Sequence, residues 1–232
     1  MSGASHAGGW DAAGWLSVDQ RDQVERVLGL LEHDEHAPTA IRAREEALRL
    51  HVMDSLAALE LDALRLADRI IDVGSGAGFP GVALAIALPE AEVSLVESQG
   101  RRCEFLRRLC AAGGVENARV VRARAEEWQA GHEYGDAVVA RALAAQPVVL
   151  EYAAPLLRVG GVLVDWRGRR EPDDERAGEA AAALLGLRRE EVREVRPFEQ
   201  ATDRHLHVFV KVDETPARFP RRAGMARKRP LG

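Results

Sequence analysis

The stretch Ile70-Ile71-Asp72-Val73-Gly74-Ser75-Gly76-Ala77-Gly78-Phe79-Pro80-Gly81 decides how the rest of the chain is read. It starts as a buried strand over Arg69 to Val73, breaks into a glycine-rich turn and opens a helix through Val82-Ala83-Leu84-Ala85-Ile86-Ala87. Glycines at 74, 76 and 78 allow sharp bends and let a ligand come close to main-chain atoms. A strand, such a turn and a helix N-terminus together make a nucleotide-type pocket at the carboxyl edge of a parallel sheet.

Two cofactor classes compete for that pocket. The dinucleotide fingerprint G-x-G-x-x-G requires a third glycine where this chain has Phe79. The spacing Asp72-x-Gly74-x-Gly76-x-Gly78 is instead similar to the first motif of S-adenosylmethionine-dependent methyltransferases. That cofactor has no pyrophosphate, so the loop must curl around a methionine moiety and keep a carboxylate near its ammonium group. Alone, the loop leaves both cofactors open.

Composition sets the outer bounds. The 232 residues suffice for one domain with an extension, and 47% hydrophobic with 30% charged residues is the balance of a soluble globular protein. The first twenty residues contain no Lys or Arg and no continuous apolar run, and no stretch is long enough to span a bilayer. Cys103 and Cys110, seven apart on an expected helix, lie roughly 10 Å apart by helical rise, too far for a disulfide. Reduced thiols and a cytoplasmic location follow as expectations. The net charge of −5 argues mildly against a nucleic-acid partner, but it conceals a basic C-terminus.

Along the chain, residues 1–18, rich in Gly, Ala and Ser with Trp10 and Trp15, predict a disordered start. Val24, Val27, Leu28 and Leu31 recur at helical spacing over Gln20 to Leu31, and a second helix is expected from Ile41 to Leu50. The intervening His33-Asp34-Glu35-His36 reads as a solvated loop and not a metal site. From Arg69 a βα repeat begins. Its second strand, Val93 to Glu97, ends on Glu97, an acid at a strand tip of the kind that accepts hydrogen bonds from ribose hydroxyls. A helix over Arg101 to Ala112 carries Arg101, Arg102, Arg107 and Arg108 on its outer face. Strand three, Arg119 to Arg122, leads into Ala125-Glu126, placed to flank an adenine ring. Strand four, Asp136 to Ala140, delivers Arg141 to the crevice.

After a helix from Gln146 to Leu157 come strand five (Val162 to Trp166), a helix over Asp174 to Leu185, and strands over Val192 to Pro197 and His205 to Val212. The last two have no helix between them, so they form an antiparallel hairpin. The predicted fold is α/β: a class I (Rossmann-like) methyltransferase with a seven-stranded, mostly parallel sheet and a reversed last strand. After Glu214 there is no acid. Arg218, Arg221, Arg222, Arg227, Lys228 and Arg229 are interspersed with Pro220 and Pro230, a segment that cannot form a core and is expected to lie along RNA phosphates and not fold on the domain.

These blocks together resemble the bacterial small-subunit ribosomal RNA guanine N-7 methyltransferases, also called glucose-inhibited division protein B. The resemblance runs from about His51 to Leu231. It rests on His51-x-x-Asp54-Ser55-Leu56, the Asp72 to Gly81 loop, Val96-Glu97-Ser98 with Arg101-Arg102 and Phe105-Leu106, Arg124-Ala125-Glu126, Arg141-Ala142, Arg204-His205, Phe219-Pro220-Arg221-Arg222-x-Gly224 and Lys228-Arg229-Pro230-Leu231. It implies cofactor contacts at Gly74, Phe79, Ala125, Glu126 and Arg141, with Glu97 on the ribose. The chain departs from the family before the histidine motif, where Leu50 replaces the usual Arg and no Trp-Asn or Asn-Leu-Thr block is present. It departs again after strand five, where Arg167-Gly168 replaces Lys-Gly.

The expected organisation is residues 1–18 as a disordered start, 19–66 as a helical extension, 67–214 as the S-adenosylmethionine-dependent domain and 215–232 as an RNA-contacting tail. The site expected is Asp72, Gly74, Gly76, Gly78, Phe79, Glu97, Ala125, Glu126 and Arg141 on the cofactor, with Arg221, Arg222, Arg227, Lys228 and Arg229 on RNA. No metal, no membrane and a monomer are expected, with 16S rRNA or the small ribosomal subunit as partner. Guanine nitrogen 7 needs no general base, so positioning suffices, with Arg141 a possible base contact. An NAD-dependent oxidoreductase and a non-catalytic RNA-binding module are the rival classes.

Overall fold

The computed structural model describes residues 14–232. Trp10 and most of the expected disordered start lie outside the described residues. Within 14–18 the reading differs from expectation, because Leu16 is buried and Ser17 caps a helix. Ser17 Oγ accepts from Gln20 N while Gln20 Oε1 accepts from Ser17 N, a reciprocal cap that starts α1 (Val18–His33).

The helix expected over Ile41 to Leu50 is instead α2 (Arg44–Ala47), a π-helical turn (Leu48–Met53) and α3 (Asp54–Leu56). The cause is side-chain competition for carbonyls. Ser55 Oγ donates to His51 O, and Arg141 Nη1 donates to Leu50 O and His51 O at 3.1 and 3.4 Å. Such insertions widen a turn, and π turns of this kind cluster at functional sites. A short α4 (Asp62–Arg65) then leads into the sheet.

The sheet contains β1 (Arg69–Val73), β2 (Glu92–Glu97), β3 (Ala118–Arg122), β4 (Gly135–Arg141), β5 (Leu157–Arg167), β6 (Leu187–Glu194) and β7 (His205–Lys211). Its order is β3-β2-β1-β4-β5-β7-β6, with β7 antiparallel to both neighbours and the other pairs parallel. Between them lie α5 (Gly81–Ala87), α6 (Gly100–Gly113), α7 (Gln146–Ala153) and α8 (Pro172–Leu184), with α9 (Met225–Lys228) near the end. β5 starts at Leu157 and not Val162, because Gly160 and Gly161 continue the strand. β6 lies upstream of the expected Val192 to Pro197, ending at Glu194.

Alternation along the strands divides the core into two layers. Ile70, Val139, Val164 and Val208 point to the layer of α1, α5 and α6. Ile71, Val138, Leu163 and Phe209 point to that of α7 and α8. The chain reverses its direction of sheet growth at β1, so β1 and β4 part at their carboxyl ends and open a crevice there.

The basic C-terminal segment does not stand free as expected. Phe219 and Ala226 are buried in the second layer, and Leu231 packs against it. Buried Glu151 of α7 accepts Arg221 Nε at 2.8 Å and Nη2 at 2.5 Å, a two-pronged ion pair. The apolar anchor Phe219 and this pair outweigh the solvation of a charged tail.

Candidate functional site: two cavities that meet at Ala142

The loop after β1 is folded by its own main chain. Gly74 N donates to Val96 O at 2.8 Å and Gly78 N to Ser75 O at 2.7 Å. Gly74 has φ of 74° and Gly78 of 97°, the left-handed region that side chains disfavour. At Gly74 a Cβ would also meet Leu143 Cδ1, 2.5 Å away, so a side chain there strains the backbone and forces Leu143 to shift.

Asp72 takes a different place from the one expected. Its carboxylate is buried beneath the loop, and Oδ2 accepts from Gly81 N at 3.0 Å, where it ties the turn to the start of α5. Burial pushes its pKa up to about 7 against the opposing Gly81 and Ser75 hydrogen bonds. Phe79 is buried and stacks on His51, with ring centroids 4.9 Å apart and planes 6° from parallel.

A cavity of about 220 Å³ is lined by Gly74, Glu97, Ser98, Gln99, Arg102, Ala125, Glu126, Leu143, Tyr152 and Arg227, among others. Glu97 is buried at the tip of β2. Its Oε2 accepts from Gly76 N at 3.2 Å and its Oε1 from Gln99 N at 2.8 Å, so both oxygens are fixed before any ligand arrives. The arrangement fits an adenosyl group, with an acceptor pair at the strand tip for a diol and the small Ala125 in the wall. Glu126 Oε1, by contrast, accepts from Gly224 N at 2.9 Å, so the C-terminal segment closes the far side.

A second cavity, about 450 Å³, is lined by Ile41, Leu50, His51, Asp54, Arg141, Ala142, Trp166, Arg167, Arg204 and His205, among others. Ala142 lines both cavities and has φ of 53°, unusual for a residue with a side chain. Arg141 lines the second cavity, next to Ala142, which borders both. Its Nη1 donates to Asp54 Oδ2 at 2.8 Å and its Nη2 lies 3.2 Å from His51 Nδ1.

Arginine has only donors, so His51 Nδ1 must accept, and Nε2–H is left to donate to Thr39 Oγ1 at 3.2 Å. Burial and the Arg141 charge hold the His51 pKa down to about 4. Asp54 Oδ1 faces Arg204 Nε at 3.2 Å without hydrogen-bond alignment, and Trp166 Nε1 donates to Asp54 O at 2.9 Å.

Of the expected cofactor residues, Gly74, Glu97, Ala125 and Glu126 share one cavity. Gly76 and Gly78 shape the loop beside it. Leu143, Tyr152 and Trp166 were not anticipated, and Arg227 was expected on RNA, not at a cavity. They reach the cavities from β5, α7, the C-terminal segment and the turn after β4, and nothing in their local spacing marks them. Asp54, Arg204 and His205 stood in the blocks that carry the resemblance, which was the available signal. Of the expected RNA contacts, Arg221 is held by Glu151 and Arg227 donates to Leu143 O at 2.9 Å. Arg222, Arg227, Lys228 and Arg229 are exposed. Cys103 and Cys110 are both buried free thiols. Among the described residues no cluster of His, Cys, Asp or Glu suits a metal, and no helix is long and apolar enough to cross a membrane.

Comparison with known proteins agrees with this geometry. The model of the family GidB, rRNA small subunit methyltransferase G, matches residues 29–206. A ribosomal RNA small subunit methyltransferase G of Rubrobacter xylanophilus is 45% identical over 196 residues, 82% of this chain and 75% of its own. That of Chloroflexus aggregans is 39% identical over 223 residues, 93% and 92% of the two chains. Among solved structures, a 16S rRNA (adenine(1408)-N(1))-methyltransferase of Catenulisporales acidiphilia superposes with a TM-score of 0.53 at 21% identity, covering 68% of this chain and 92% of that one. The apo form of the S-adenosylmethionine-dependent methyltransferase SibL reaches 0.58 at 16% identity, covering 84% and 70%. The chain therefore belongs to the ribosomal RNA small subunit methyltransferase G family, S-adenosylmethionine-dependent enzymes that methylate rRNA of the small subunit.

Proposed function

We propose that this chain transfers a methyl group from S-adenosylmethionine to nitrogen 7 of a guanine in small-subunit 16S rRNA. The observation that carries this reading is the pair of cavities meeting at Ala142, one shaped for an adenosyl group and the other large enough for a base. When bound, the cofactor supplies an electrophilic sulfonium methyl. Glu97 holds the ribose diol, Ala125 and Glu126 border the adenine, and the glycine loop borders the methionine portion. In the second cavity His51 and Asp54 are both engaged by Arg141, so neither is poised to remove a proton. Guanine nitrogen 7 has no proton to lose, and its lone pair is nucleophilic as it stands.

The chain's contribution is then positioning. It holds donor and acceptor in line in a site that excludes water, which is worth roughly 7–11 kcal/mol in well-oriented systems. The acceptor base must leave its stack to enter. Exposed Arg222, Lys228 and Arg229 supply the phosphate contacts, while Arg221 serves the fold of the segment. A monomer suffices, since one chain builds both cavities, and the enzyme works in the cytoplasm on the ribosomal subunit. The helical extension of 19–66 and the catalytic unit of 67–214 are parts of the same proposal.

The test is to incubate purified protein with labelled S-adenosylmethionine and small subunits lacking the modification, then map the methylated nucleotide. Label recovered as 7-methylguanine in 16S rRNA is the expected result. Label on a ribose hydroxyl or an exocyclic amine would replace this reading with one that needs a base, for which His205 in the second cavity would be the first candidate.

A further inference from the structure

The C-terminal segment makes three contacts with the rim of the adenosyl cavity. Gly224 N donates to Glu126 Oε1 at 2.9 Å, in a left-handed turn with φ of 80°. Arg227 Nη2 donates to Leu143 O at 2.9 Å, and Leu143 is the residue that presses on Gly74 of the glycine loop. Arg227 itself lines the cavity, facing Tyr152, whose pKa burial raises and Arg227 opposes. The segment is held in that place from behind by the Arg221 pair with Glu151 and by buried Phe219 and Ala226.

A guanidinium so placed borders a cavity whose other walls come from the end of β1 and its loop, the tip of β2 and the start of α6, the turn after β3, the turn after β4 and α7. We infer that Arg227 is a cofactor-binding residue that contacts the adenosyl group, so that the C-terminal segment forms one wall of the cofactor pocket. The inference rests on the cofactor reading above and extends it to a segment whose charges suggest RNA alone. Its chemistry is a planar cation against a neutral heteroaromatic ring that offers ring-nitrogen acceptors and a π face. The methionine portion is assigned to the glycine loop, so the inferred contact is to the adenosyl group alone.

Calorimetric titration with S-adenosylhomocysteine and with adenosine, on the full chain, separates the possibilities. Arg227→Gln should weaken both ligands by the same factor, about tenfold, the low end for a hydrogen bond to a charged group. Arg218→Gln removes the same charge from the same segment outside the cavity and should leave both affinities unchanged. In turnover, Arg227→Gln should raise KM for S-adenosylmethionine with little change in kcat, the pattern of a contact made equally in ground and transition states.

Unchanged affinity in Arg227→Gln, or equal loss in both variants, overturns the inference. A second measurement needs no variant: in wild-type protein, bound S-adenosylhomocysteine should slow hydrogen exchange of the amides over residues 224–229. Exchange unaffected by saturating ligand would also overturn it. Wild-type protein that binds neither ligand would instead remove the cofactor reading on which the inference stands.

Discussion

Arg141 at the end of β4 donates to Asp54 Oδ2 at 2.8 Å across 87 residues of sequence, and this pair fixes the N-terminal helical segment over the crevice. Both side chains are largely withdrawn from water, at 15% and 7% exposure. A buried pair gains little over an apolar substitute, but breaking it strands a charge. Arg141→Ala should therefore destabilise the protein by on the order of 3 kcal/mol in urea unfolding. Adding Asp54→Asn to that variant should restore part of the loss. If the double variant is as unstable as the sum of the singles, the stranded-charge account is wrong.

Glu97 holds two main-chain donors and keeps acceptor capacity toward the adenosyl cavity. Glu97→Ala should cost about 1.5–3 kcal/mol in affinity for S-adenosylhomocysteine. A folded variant with wild-type affinity would show that the strand-tip acid does not touch the ribose.

Asp72 gives the loop a pH dependence. Its folded pKa is raised to about 7 from an ordinary 3.8, so between those values the native state binds more protons than the unfolded chain. Its contribution is fully present below about pH 4 and is lost as pH rises through about 7. Relative to Asp72→Asn, the wild type should therefore lose stability from pH 4.5 to about 7 and level off above that in paired urea titrations. A constant gap between the two would mean that Asp72 is ionised throughout.

His51 acts with the opposite sign. Its folded pKa of about 4 lies below the ordinary 6.5, so its contribution is present above 6.5 and is lost as pH falls through about 4. Compared with His51→Gln, the wild type should lose up to about 3 kcal/mol over that interval, since each pKa unit is worth about 1.4 kcal/mol. An imidazole proton shift in NMR that titrates near 6.5 would contradict a buried neutral ring.

The C-terminal segment should separate charge from structure. Replacing Arg222, Lys228 and Arg229 together by Gln should leave the melting point unchanged, weaken RNA binding and flatten its salt dependence by roughly 0.7 log–log units per lost contact on single strands. Deleting residues 217–232 should do more. It exposes the site of Phe219, worth roughly 1.5–3 kcal/mol, and leaves Glu151 buried without its partner. Full RNA affinity in the triple variant across a salt series would move the RNA contact elsewhere.

How much of this was legible in the sequence follows from the range of each signal. The strand β1, the glycine loop, Glu97 at the tip of β2 and the β6–β7 hairpin were readable, because strand alternation, backbone-demanding glycines and missing crossover helices are written in adjacent residues. The tertiary structure alone placed Asp72 under the loop, for a strand-end acid can face a ligand or a helix N-terminus with the same local sequence. It alone brought Arg141 to Asp54 and His51, and it made the π turn that accompanies those bonds. Most of all, it folded the cation-rich C-terminus back onto α7. There a single aromatic and one buried Glu151, distant in sequence, outweigh the hydration of charges that composition alone assigns to solvent and RNA.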